Sequence, residues 1–343
     1  MTTDTLNAAS DAAPGARALL IVPRLRVQNA NTISSPLTWG FPAITAFTGL
    51  MTALERRLGG DAGIKLYGVG VICHNFESQV THSGFVRSFH LTRNPVLQDG
   101  GTAPIVEEGR AHLDITLVFD AELTNAQASE AERARLSAAV ASLLAGMRVA
   151  GGSVMPPLRG AFRRPVQPQL RLIPDDDGAR REQFSRLKRR WLPGFALVSR
   201  DDLLHSRLAV LRQQRPEASV LDAWLSLSCV THRTERHSTP ADDDFPVPQS
   251  VQWQTESRPG WIVPLPVGYA ALSELHQAGS VAGVRDPRVP FRFVESVYSI
   301  GQWISPHRLE CAEQLFWYPV HEEGSTLYRC FNDFANPRPV ATV

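Results

Sequence analysis

An α+β fold of ferredoxin-like order is what the chain's pattern predicts, on three observations. Runs of branched residues with strand character alternate with segments whose apolar residues recur at helical spacing. Their order is β-α-β, an insertion, then β-α and a further strand, as in a split βαβ unit. A less regular α+β portion fills the second half of the 343 residues.

The first run, ALLIVPRLRV at 18–27, suits a pleated, half-buried surface. Pro23 cannot donate to a ladder, so an edge or bulge is expected there. Ile44, Phe47, Leu50, Leu54 and Leu58 then mark one helix face. LYGVGVIC, Leu66–Cys73, is the second strand. Residues 75–108 are polar with Gly and Pro punctuation, which suits a protruding hairpin. Leu113, Ile115, Leu117 and Phe119 alternate along the third strand. From Ala126 to Met147 the chain is Ala-rich. Ser129 and Glu132 stand in capping-box spacing there, and Leu136, Val140, Leu143 and Met147 face inward. Further on, Ser199 with Asp202 opens a helix through Gln213, and Ala218–Cys229 forms another. Residues 231–260 have few aliphatics and are expected to be a surface loop. Strand-like aromatic runs follow at Phe291–Ile300 and Leu315–Val320, and the aromatics Trp261, Phe291, Phe293, Trp303, Phe316 and Trp317 serve as core or interface.

Composition bounds the function. Hydrophobic residues at 43% and charged residues at 20% describe a chain able to bury a core. Residues 1–17 are small, polar and acidic, a disordered leader rather than a signal peptide. The longest apolar runs, Ala18–Val22 and Ile115–Phe119, fall far short of the roughly 20 residues that cross a bilayer. Cys73, Cys229, Cys311 and Cys330 show no paired spacing, so neither zinc nor a disulfide framework is suggested and a cytoplasmic setting is expected.

Net charge is only +1, yet the chain is electrically polarised. Between Arg148 and Arg190 stand eleven basic residues and four acids, a balance of +7 that leaves the remainder at −6. Attraction to phosphate is local, so such a segment suits a nucleic-acid backbone in spite of the neutral total. Phe184, Leu187 and Trp191 recur at helical spacing within it, which makes 180–191 an amphipathic basic helix. All basic residues except Lys65 and Lys188 are arginine, the better residue for forked phosphate contacts.

Catalytic motifs are scarce. Neither lysine lies in a phosphate-loop context. Gly68 and Gly70 imitate a dinucleotide fingerprint, but Cys73 stands where its third glycine belongs. His74, His82, His90 and His112 gather around the second and third strands and can support a metal-independent ribonuclease as the rival reading. A scaffold that docks an acidic protein through the basic helix is another. RNA-recognition domains of this strand order stack bases on sheet aromatics; here the first and third strands lack them before Phe119, so loops and the insertion must do any gripping. Three polar stretches suit that task. QNANTISSPLTWGFP, Gln28–Pro42, offers amides, hydroxyls and Trp39, a ring for stacking or for the core. RSFHLTRN, Arg87–Asn94, interleaves cations and rings. MRVAGGS places Gly151 and Gly152 after a helix, as a plain cap or as room for a phosphate backbone.

Seven segments in register, RLRVQNANTISSPLTWGFP, FHLTRNP, IVEEGRAHLDI, MRVAGGS, LPGFALVSR, PGWIVPLPVGYAALS and SPHR, closely resemble the second subunit of the type I-F CRISPR surveillance complex, the Csy complex. The likeness runs from about residue 18 to about residue 330. It implies a modified ferredoxin-like body of RAMP type over 18–175, with a thumb at about 75–108, and an additional α+β portion over 176–343. It also implies a non-catalytic role without cofactor or metal: the family's subunit pairs with the large subunit, grips the 5′ handle of CRISPR RNA, meets the adjacent backbone subunit and helps shape the entry surface for target double-stranded DNA. By position, the RNA-facing residues are then Arg24, Gln28, Asn29, Asn31, Ser34, Ser35 and Trp39 in the first loop, and Arg87, Arg93 and Asn94 in the thumb. Arg110, His112, Arg148, Gly151, Gly152 and Ser153 complete that set. Arg163, Arg164, Arg181, Lys188, Arg189 and Arg190 form a basic patch for RNA, DNA or the large subunit.

Overall fold

The computed structural model describes residues 15–93, 96–97, 99–157, 167–237, 250–258, 260–322 and 324–335. Strand β1 (Ala16–Asn31) starts inside the segment expected to be a leader and buries Ala18 through Val22 without a break. A small hairpin, β2 (Ile33–Ser35) and β3 (Thr38–Trp39), occupies the polar loop. Helix α1 (Ile44–Leu58) buries Ile44, Phe47, Leu50, Met51 and Leu54, as its spacing predicts. Strand β4 (Ile64–Ser78) leads to two exposed ladders: β5 (Val80–Ser83) with β6 (Val86–Phe89), and β7 (Leu91–Arg93) with β8 (Ile105–Glu107). Phe85 at the first tip is fully exposed.

Strand β9 (Arg110–Leu123) returns to the sheet. Helix α2 (Glu130–Ala145) opens on a complete capping box, with Ser129 Oγ accepting from Glu132 N and the Glu132 carboxylate accepting from Ser129 N. Short strands β10 (Arg148–Val149), β11 (Gly152–Val154) and β12 (Gln169–Leu172) follow.

In the second half, the basic segment is helix α3 (Asp177–Arg190), capped by Asp176, with Phe184 and Leu187 buried. Next come β13 (Phe195–Ser199), α4 (Asp201–Gln214) and α5 (Val220–Ser228). The expected cap Ser199 instead ends β13, where the sheet's pairing with Gly301 holds it, and Arg200 takes the N-cap place. The stretch 231–260 is not all loop: β14 (His232–His237) and β15 (Ser250–Thr255) pair antiparallel, because alternation on a free-standing two-stranded ladder needs no aliphatic face. Strands β16 (Ile262–Ala271), β17 (Val294–Ile304), β18 (Trp317–His321) and β19 (Leu327–Asn332) complete the chain. Of the aromatics weighed as core, Trp303, Phe316 and Trp317 are buried, whereas Trp261 and Phe293 are exposed.

One antiparallel sheet links the halves. Its order is β10-β11-β1-β9-β4-β13-β17-β16-β19-β18, with β12 also pairing β1. The boundary at residue 175 falls between β12 and α3, and the sheet continues across it through β4 and β13. β18 pairs back to β4 at Trp317 and Val69, so the second-half strands leave β4 and return to it. That closure explains the glycines of β4. A Cβ at Gly68 would lie 2.7 Å from the Tyr318 ring, and one at Gly70 would collide with Leu315. Close packing, not a phosphate turn, is the reason for them.

Candidate functional site

Two irregularities in β1 shape one end of the sheet. Its register against β9 shifts between Val22 and Leu25, as Pro23 predicts, and again between Val27 and Ala30. Arg24 and Asn29 sit at these bulges with φ of 54° and 59°. The second bulge presents Gln28 and Asn29 beside the turn after β10, where Ala150 and Gly151 take φ of 48° and 77°. The outcome is an open polar cleft of about 470 Å³. Gln28, Asn29, Asn31, Arg110, Arg148, Gly151, Gly152 and Ser153, all singled out from sequence, line it together.

Their states differ. Gln28, Asn29 and Arg148 are exposed, and among the described residues Arg148 makes only a long 3.4 Å contact to the Gly151 carbonyl. The Asn29 backbone N–H donates to His112 Nδ1 at 3.2 Å. Arg110 is paired with the Glu108 carboxylate. The Asn31 amide is spent on the backbone of Ile33, accepting from its N–H at 3.1 Å and donating to its carbonyl at 2.8 Å. Gly152 is required by the sheet itself, since a Cβ there would lie 2.7 Å from Ala30 N and from Gln28 O. Gly151, by contrast, faces open space.

Other predicted residues lie elsewhere. Ser34 Oγ accepts from Ala43 N at 2.9 Å, ahead of α1, and the buried Ser35 Oγ lies 2.6 Å from Thr38 Oγ1, so these hydroxyls build the loop. Arg24 pairs with Asp114 at 2.7 Å. Arg93 ends β7, while Asn94, Arg163 and Arg164 fall outside the described residues. On α3, Lys188 is half-buried and engaged: its Nζ donates to the Leu309 carbonyl at 2.6 Å and lies over the Phe184 ring. Arg189 donates to the Ser185 carbonyl, and Arg181 and Arg190 are exposed with no ion pair among the described residues. Of the predicted basic patch, Arg181, Arg189 and Arg190 are the members that are exposed among the described residues.

The histidines do not form one centre. His74 Nδ1 donates to the Pro193 carbonyl at 2.7 Å and its Nε2 accepts from Thr116 Oγ1 at 2.8 Å, while His82 sits in the β5–β6 ladder. Burial holds the His74 pKa below the ordinary value of 6.5, against the Pro193 carbonyl that raises it. Among the described residues no group of three His, Cys, Asp or Glu is placed to hold a metal, and no helix is long and apolar enough to cross a membrane.

Trp39 and Arg87 come together in a second cleft of about 540 Å³, walled also by Phe195 and Trp261. Sequence reasoning missed the last two as site residues, and missed Glu107 and Glu108 in the polar cleft. The Glu pair stood in view inside the IVEEGRAHLDI segment, and Phe195 and Trp261 in LPGFALVSR and PGWIVPLPVGYAALS; what the sequence did not show is that they share a wall, because only pairing of distant strands joins them.

The model of one protein family, described as CRISPR-associated protein (Cas_Csy2), matches residues 20–330. The chain is also 45% identical over 314 residues to the CRISPR-associated protein Csy2 of Pseudomonas aeruginosa (strain UCBPP-PA14), an alignment covering 91% of this chain and 94% of that protein.

Proposed function

The chain belongs to the CRISPR-associated Csy2 family, the second subunit of the type I-F complex, and from that membership we propose that it is a non-catalytic RNA-binding subunit gripping the 5′ handle of CRISPR RNA. The large subunit and the adjacent backbone subunit are its partners in this reading, and target double-stranded DNA enters beside it. The observation that carries the reading is the polar cleft at the end of β1, β9 and β11, where eight residues that the resemblance implies face RNA meet. A RAMP-type, ferredoxin-like body accords with the order β12-β1-β9-β4 and its two intervening helices.

The chemistry follows from the donors present. Arg148 and Arg110 supply guanidinium forks for phosphate oxygens. Gln28 and Ser153 offer neutral donors and acceptors to base edges. The open, left-handed Gly151 lets a phosphate backbone approach closely. Glu108 holds Arg110 until phosphate competes for it, so an arbitrary polyanion is gripped less firmly than one held also by base contacts.

Replacing Arg93, Arg110 and Arg148 together by Ala is expected to abolish handle binding by the pair formed with the large subunit while the fold survives. Glu108→Gln acts in the opposite sense: it frees Arg110, removes a like charge from the phosphates and tightens binding about fivefold at low salt. Unchanged affinity in the triple variant refutes the cleft assignment. Clean cleavage of repeat RNA, abolished by His112→Ala, would instead establish a nuclease.

A further inference from the structure

We propose that the aromatic cleft between the thumb and the second half of the chain receives one unpaired base of bound RNA. The proposal rests on the RNA-binding reading above and assigns that reading a second subsite, with Trp261 and Phe195 as its walls.

The cleft is assembled from six distant parts of the sequence: Trp39 at the end of β3, Asn75 near the end of β4, Arg87 on β6, Phe195 at the start of β13, Trp261 just before β16 and Trp303 on β17. Its size, about 540 Å³, lies within the roughly 300–1,000 Å³ of clefts that hold small organic ligands. The Phe195 and Trp261 rings meet edge to face with centroids 5.2 Å apart, and Trp261 leans on Trp303 at 6.3 Å. These contacts fix the rings without covering them: Trp261 is 57% exposed, Phe195 42% and Trp39 39%. The same chain buries Trp317 and Phe316 completely. Rigid apolar rings left open around a concavity mark a place where something binds.

Charge and chemistry favour a base over an apolar protein side chain. Among the described residues no carboxylate lines this cleft, so none of them repels a phosphate there. Arg87 reaches it from the thumb, exposed and without an ion pair among the described residues. Asn75 is exposed too, and its amide has no hydrogen bond among the described residues, leaving a donor and an acceptor for a base edge. Flat aromatic walls accept any base through its π face.

Position adds a second argument. Asn31 of the polar cleft lies opposite Arg110 on β9, and Asn75 of the aromatic cleft lies opposite Asp114 on the same strand. Both clefts therefore sit at one end of the β1-β9-β4 layer. With neighbouring strands about 4.8 Å apart and a rise of about 3.4 Å per residue, the step from β1 to β4 and the step along β9 from Arg110 to Asp114 put Asn31 and Asn75 roughly 16 Å apart, a span that an extended RNA strand crossing this end of the sheet can bridge.

The test uses the full chain purified with its partner subunits without CRISPR RNA, probed with short adenosine and uridine oligonucleotides and with repeat-derived RNA. RNA should quench tryptophan fluorescence. Trp261→Ala should weaken binding about tenfold, and Trp261→Phe should restore most of it. If no RNA binds the unaltered assembly, both this proposal and the RNA-binding reading fail. If RNA binds, and binding is lost in the Arg110 and Arg148 replacements but unchanged in Trp261→Ala, the subsite alone is overturned. Loss of subunit assembly in Trp261→Ala with RNA affinity intact overturns it as well, and makes the cleft a protein-docking site.

Discussion

Replacing Asn332 should be among the most damaging single changes away from either cleft. Its side chain is buried and fully engaged. Oδ1 accepts from Ser199 N at 2.9 Å and from Phe334 N at 3.3 Å. Nδ2 donates to the carbonyls of Gln314 and Phe316, each at 2.9 Å. One amide thus joins the end of β13 to the turn that introduces β18, which is how the returning strands are held against β4. Asn332→Ala leaves the buried Ser199 N–H and Phe316 carbonyl without this partner. An orphaned buried group costs about 1–3 kcal/mol, so the pair costs about 2–6 kcal/mol, a large share of the roughly 5–15 kcal/mol that holds a domain folded. Urea unfolding should show a lower midpoint with unchanged slope, and hydrogen exchange at the Ser199 amide should accelerate. Asn332→Asp keeps the shape but turns an oxygen toward two carbonyls, so it should destabilise at least as much. A loss below about 1 kcal/mol, with Ser199 still protected, would show that packing and not this network closes the strands.

Three further outcomes follow from the same geometry. Gly70→Ala drives a Cβ into the fully buried Leu315 and should cost about 1–3 kcal/mol, whereas Gly49→Ala, on the open face of α1, should raise stability by about 0.5–1 kcal/mol; thermal unfolding of the two variants measures both. His74 has a folded pKa below its unfolded value because it is buried, so between those values the unfolded state binds more protons; stability should fall as pH drops below about 6.5, and His74→Gln should flatten that slope in acid titrations followed by circular dichroism. Burial pushes the Cys73 thiol up to about 12 and raises that of Cys330, so alkylation at neutral pH should reach the exposed Cys229 first; prior modification of Cys73 would contradict its burial.

The family, the main elements of the first half and the residue types of the polar cleft are legible in the sequence because their signals are local. Ile44, Phe47, Leu50 and Leu54 recur at helical spacing, Ser129 and Glu132 write a capping box, and Pro23 announces a bulge, each within a few residues of chain. The cleft residues were found by type and by motif, and strand pairing of β1 with β9 and β11 then brought them together. What each one does there is a different matter. Arg110 is bound to Glu108, Asn31 to its own turn and Lys188 to a carbonyl of another segment; residue type states what a side chain can bond, not what already occupies it.

Local sequence by itself determined the individual elements and the kind of chemistry offered, since periodicity, capping and side-chain type are properties of short stretches. Tertiary structure alone decided that Gly68 and Gly70 answer to Tyr318 and Leu315, that Asn332 ties β13 to β18, and that Phe195 and Trp261 wall a cleft with Trp39. Each of these joins residues far apart along the chain, and such contacts exist only once the sheet has closed.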